Sequence, residues 1–150
     1  MPIISQKDQD ILRKKFEIDL RKDVYLALFT QKQTGLIVPG RDCRTCGETQ
    51  KLLQELTSLS PRLHLDIYDF YNQPEEVKVR AVERIPAVIL GSDRHNGVKF
   101  YGIPSGYEFS TLIDDIIALA KGQSPLKLDT RKKLNKLKEP VHIKVFVTPT

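Results

Sequence analysis

Apolar residues recur along this chain with two different periods, and their alternation predicts its elements. Over residues 8–20, Ile11, Leu12 and Phe16 form an apolar edge among charges, which predicts a helix capped by Asp8 or Asp10. Val24-Tyr25-Leu26-Ala27-Leu28-Phe29 is almost continuously apolar, the pattern of a strand covered on both faces. Residues 30–42 form a polar loop punctuated by Gly and Pro and carrying an apolar patch, Leu36-Ile37-Val38. Leu52, Leu53, Leu56 and Leu59 return at helical spacing, so a helix is expected over residues 47–59, closed by Ser60-Pro61.

Leu63, Leu65, Ile67 and Tyr68 predict a second strand, and residues 72–84 a helix with Pro74 in its first turn. Ile85-Pro86 stops that helix. Ala87-Val88-Ile89-Leu90 and Val98-Lys99-Phe100-Tyr101 then read as two hairpin strands around turn residues 93–97. From Glu108 the stripe Phe109, Leu112, Ile113, Ile116, Ile117 and Leu119 predicts a last helix ending before Gly122. A β-α-β start followed by a β-β hairpin and a covering helix implies an α/β fold of three layers, a mixed four-stranded sheet between helices.

Beyond residue 122 the pattern changes. Residues 123–139 read as a basic linker with one short helix. Val141-His142-Ile143-Lys144-Val145-Phe146-Val147 then reads as a fresh strand that echoes residues 24–30. We therefore expect one domain over residues 1–122, and over residues 140–150 the first strand of a truncated second unit. The alternative is an edge strand that completes the first sheet.

Composition narrows the class without naming a chemistry. With 40% hydrophobic and 29% charged residues, the 150-residue chain can bury one good core. No apolar stretch approaches the roughly 20 residues of a membrane span, and residues 1–15 lack a signal-peptide layout. The expectation is a cytoplasmic protein with no membrane partner. The net charge of +5 hints at nucleic acid until it is located: residues 121–144 hold eight basic against two acidic side chains, and the rest of the chain is close to neutral. No aromatics interleave with those charges, so they read as a solvated helix face rather than a nucleic-acid surface.

The chemistry lies in the chain's two cysteines, Cys43-Arg44-Thr45-Cys46. At the start of a helix, the partial positive charge of unpaired N–H groups and Arg44 would favour a Cys43 thiolate, while Asp42 opposes it. Cys46, one turn on, would lie on the same face and could resolve a mixed disulfide formed at Cys43. Two other readings stand beside this one. The pair could be inert core thiols, or it could ligate zinc or an iron–sulfur cluster. A zinc site needs further ligands, and His64, His95 and His142 do not fall at finger spacing, so we assign no metal residues. Ile85-Pro86 before a strand is the second informative element. A cis bond there would expose the Ile85 backbone to a substrate peptide beside the sulfurs.

These residues, with Tyr101-Gly102-Ile103-Pro104-Ser105-Gly106-Tyr107 before the last helix, resemble the thioredoxin/glutaredoxin superfamily. More closely, they are similar to the N-terminal unit of the tandem protein disulfide oxidoreductases, or glutaredoxin-like domain proteins. The resemblance covers residues 1 to about 122. It implies a thioredoxin-like fold and dithiol–disulfide exchange with protein disulfides. It also implies a thioredoxin-reductase-type flavoenzyme as electron donor and no bound cofactor. Carried onto this chain, it makes Cys43 the attacking thiol, Cys46 the resolver and Pro86 a cis-proline, with Ile85, Arg44 and Thr45 meeting the substrate. A non-catalytic thioredoxin-fold interaction module is the alternative, and a metal-binding module a further one. The chain departs from the family in the long connection over residues 30–42 and in Arg-Thr between the cysteines.

Overall fold

The computed structural model describes residues 2–32, 39–91 and 97–148. The expected patch at residues 36–38 and most of the turn at residues 93–97 lie outside the described residues. The chain runs α1 (Gln6–Asp19), β1 (Val24–Thr30), α2 (Cys46–Thr57), β2 (Leu63–Asp69), α3 (Pro74–Val79), β3 (Ala87–Leu90), β4 (Val98–Tyr101), α4 (Tyr107–Lys121) and α5 (Leu128–Leu134).

The four strands form one sheet in the order β2-β1-β3-β4. β1 pairs parallel with β2, Val24 opposite Leu63, and antiparallel with β3, Phe29 opposite Ala87. β3 and β4 are antiparallel, Ala87 opposite Tyr101. This is the mixed four-stranded sheet that the element order predicts. Strand periodicity then divides the side chains between two cores. Leu26, Leu28, Val88 and Leu90 face one side, where they meet Phe16 of α1, Leu52, Leu53 and Leu56 of α2, and Leu112 and Ile116 of α4. Ala27, Phe29, Ala87 and Ile89 face the other, with Val82 and, half-buried, Tyr68, Phe70, Val77 and Ile85. The layers are therefore unequal, three helices against the short α3.

Several expectations are corrected. The cap of α1 is Ser5, whose Oγ accepts from the Asp8 N–H at 3.2 Å and donates to the Asp8 carboxylate at 2.6 Å. A hydroxyl one step upstream satisfies the first turn better than Asp8 or Asp10, which already lie inside the helix. α2 begins at Cys46 and ends at Thr57, so Leu59 packs from beyond it. α3 covers only Pro74–Val79 rather than residues 72–84. Ala81 turns with φ 47°, and the Val82 N–H donates to the Val77 carbonyl at 3.0 Å, which folds Val82 back into the second core. In α4 the buried stripe takes Ala120, and Leu119 points to solvent.

Residues 140–148 form neither helix nor strand. Every residue over 121–148 is exposed, including Val145 and Phe146. Among the described residues, no helix is long and apolar enough to cross a membrane.

Candidate redox site

The register of the sheet brings the predicted site residues to one end of the molecule. Phe29 pairs with Ala87, so Pro86 stands at the Thr30 end of β1, where the connection to the cysteines departs. β2 is parallel to β1, so α2 must start at that same end and run back along the sheet. Cys43 and Cys46 are joined as a disulfide, with Cα atoms 5.5 Å apart.

The two sulfur-bearing residues sit in different surroundings. Cys46 is the first residue of α2 and is 2% exposed, whereas Cys43 lies two residues before the Thr45 cap position and is half-exposed. Leu52, Leu53 and Leu56 hold α2 against the first core. Thr49 fixes its first turn: its N–H and its Oγ1 both donate to the Thr45 carbonyl, at 2.9 and 2.7 Å. Thr45 is thereby held by its backbone and caps through no side-chain bond. Arg44 projects outward and pairs with Asp42 at 3.8 Å, both side chains being more than three-quarters exposed, so the pair adds little stability.

The Ile85–Pro86 bond is cis. Pro86 is buried, and its carbonyl accepts from the Gly102 N–H at 2.9 Å, which ties the proline to the segment leading into α4. The Ile85 side chain packs half-buried on the second core.

Sequence reasoning overlooked the turn after β2. The Asp69 carboxylate accepts from three backbone N–H groups: Lys32 at 3.2 Å, Tyr71 at 3.0 Å and Asn72 at 2.9 Å. Burial alone would raise its pKa, but those donors favour the charged form and the net shift is downward. The Phe70 N–H donates to the Thr30 carbonyl at 2.9 Å, and the Arg41 guanidinium lies 4.5 Å above the Tyr71 ring. The signal for part of this was present, because Asp-x-x-Asn-x-Pro after a strand is Asx-turn chemistry.

Known structures agree with this geometry. A protein disulfide oxidoreductase from Aeropyrum pernix superposes with a TM-score of 0.81 at 27% identity, over 97% of this chain and 60% of that one. This chain has a thioredoxin-like fold. The alkylhydroperoxide reductase AhpF of Enterococcus faecalis matches with a TM-score of 0.72 at 25% identity, over 89% of this chain and 61% of that structure. In sequence, the alkyl hydroperoxide reductase AhpF of Staphylococcus aureus is 28% identical over 104 residues, 69% of this chain and 18% of that protein. No family model matches. The chain thus spans about three-fifths of those two solved chains and under a fifth of that curated protein. Its structural neighbours include a disulfide oxidoreductase and the N-terminal domain of AhpF. Its Cys43–Cys46 pair is consistent with thiol–disulfide exchange.

Proposed function

We propose that this thioredoxin-like domain exchanges its Cys43–Cys46 pair with disulfides of protein substrates. The unequal burial of the two cysteines carries the reading. A cysteine that is only partly buried can reach an incoming disulfide, and a buried one a turn away can wait to resolve the product. Starting from the dithiol, the Cys43 thiolate attacks one substrate sulfur. The substrate S–S bond breaks, and the departing sulfur leaves as a thiolate that takes up a proton. Cys46 then gives up its proton and attacks the Cys43 sulfur. The second substrate thiol is released, and two electrons have passed from the domain to the substrate. The Ile85 backbone beside Pro86, with Arg44 and Thr45, forms the rim against which an extended substrate segment would lie.

The test is direct. The reduced protein should attack a model disulfide, Cys43→Ser should abolish the reaction, and Cys46→Ser should accumulate mixed disulfides. Equal reactivity of the two single variants would overturn the division of roles.

To return the pair to its dithiol form, the domain needs a two-electron donor. The likeness to the AhpF reductases supports a donor of the thioredoxin-reductase type, a flavoenzyme. The partial coverage of both solved neighbours, together with the exposed apolar residues over 141–147, supports residues 140–150 as the opening of a second thioredoxin-like unit. On that reading residues 1–122 are the redox domain and residues 123–139 a linker. A chain that uses its two cysteines only as a reactive pair fits a cytoplasmic setting.

A further inference from the structure

The connection that carries the cysteines is fastened, at both of its described ends, to one turn. At its start, the Thr30 carbonyl accepts from Phe70 and the Lys32 N–H donates to Asp69. At its finish, Arg41 lies on the ring of Tyr71, whose own N–H is held by Asp69. That ring is seated further by an edge-to-face contact with Phe70 at 5.3 Å, and Phe70 packs on the second core. The turn is anchored again by Gln73, which exchanges hydrogen bonds with Asp69 at 2.7 and 3.0 Å.

The charge so positioned has a particular neighbour. Arg41 is two residues before Cys43, so their Cα atoms are within about 7 Å of each other. Asp42 and Arg44 pair with one another, while no carboxylate of the described residues pairs with Arg41. We infer that Tyr71 is a positioning residue: seated by Asp69 and Phe70, it holds the Arg41 guanidinium where it stabilises the Cys43 thiolate. This rests on the exchange reading above and deepens it. A cation that favours the thiolate favours the dithiol form of the couple, making the pair a stronger oxidant than it would otherwise be. An aromatic face is suited to the task because it orients a guanidinium without neutralising it.

The experiment equilibrates the full chain with glutathione redox buffers and reads the equilibrium constant of the Cys43–Cys46 couple, with thermal unfolding as a check that each variant is folded. Tyr71→Leu and Arg41→Met should each shift the constant toward the disulfide by about two- to fivefold, the size expected of one solvent-screened charge. Tyr71→Phe, which keeps the ring, should match the wild type. The double variant should shift no further than Arg41→Met alone, because the ring acts only through the cation. A wild-type constant in folded Tyr71→Leu, or additive shifts in the double variant, would overturn the inference. Failure of the wild-type chain to equilibrate with glutathione at all would instead overturn the exchange reading on which it stands.

Discussion

Replacing Asp69 with alanine should destabilise the domain by about 2 kcal/mol at neutral pH, and the penalty should shrink in acid. The size follows from what the carboxylate holds. Three backbone N–H groups lose their acceptor, each bond being worth about 1 kcal/mol net. Lys32 and Asn72 are exposed residues whose N–H groups water can satisfy, whereas Tyr71 is half-buried, so the sum falls short of the full three. For a domain of this size the loss corresponds to a fall in Tm of roughly 8 °C. Asp69→Asn keeps one oxygen acceptor and should cost about half as much.

The pH dependence has a definite sign. The folded-state carboxyl titrates below its ordinary value, despite burial that acts the other way, because the Asn72, Lys32 and Tyr71 N–H groups favour the anion. Its contribution is therefore complete above the unfolded value of about 4 and is lost as pH falls through the lower folded value. Urea unfolding of wild type and Asp69→Ala at pH 7 and at pH 3 measures both. A gap equally large at the two pH values would refute the carboxylate account, as would a gap under about 0.5 kcal/mol at pH 7.

Three further outcomes follow from burial and charge. Leu53, fully buried on α2 behind Cys46, should cost about 3 kcal/mol on replacement by alanine, read from urea midpoints at constant m-value. Asp115 on α4 titrates above its ordinary value because burial, and then the neighbouring Asp114, disfavour its charge. Its ionisation in the folded state is thus a cost that appears as pH rises through the raised value, so Asp115→Asn should raise Tm at pH 7 and gain nothing below pH of about 4. Deleting residues 123–150 should leave the unfolding free energy of the domain within about 0.5 kcal/mol, since residues 123–148 are all exposed and the Lys121–Asp19 pair is retained.

The core strands were legible because they are nearly all apolar and short. Ala87–Leu90 and Val98–Tyr101 fall where the residues place them. Boundaries decided by single hydrogen bonds were harder. Nothing in the apolar pattern says that Ser5 rather than Asp8 caps α1. Nor does it say that Ala81 will turn left-handed and end α3 early, because Val77, Val79 and Val82 look helical until the chain must fold Val82 onto Phe29. At the site, the cysteine spacing and Ile85-Pro86 are each a local signature, and the structure joins Cys43 to Cys46 and makes the Ile85–Pro86 bond cis. The Asp69–Tyr71–Arg41 arrangement joins distant positions through a ring contact and a carboxylate, and no local spacing encodes it.

The same division of the sheet explains how the two halves of the site can be perturbed separately. Cys46 rides on α2, which the first core holds through Leu52, Leu53 and Leu56. Ile85 and the turn bearing Phe70 and Tyr71 rest on the second core, which among the described residues is smaller and is covered by α3 and the residues after it. β1 and β3 are shared by both, because their alternate side chains enter the two cores in turn. Damage to α2 packing should therefore loosen the buried thiol first. Damage around Val82 should loosen the Ile85–Pro86 edge and the seat of Arg41, leaving the helix that carries Cys46 in place. The thinner core thus lies beneath the Ile85–Pro86 side. The thicker one lies beneath the helix that carries Cys46.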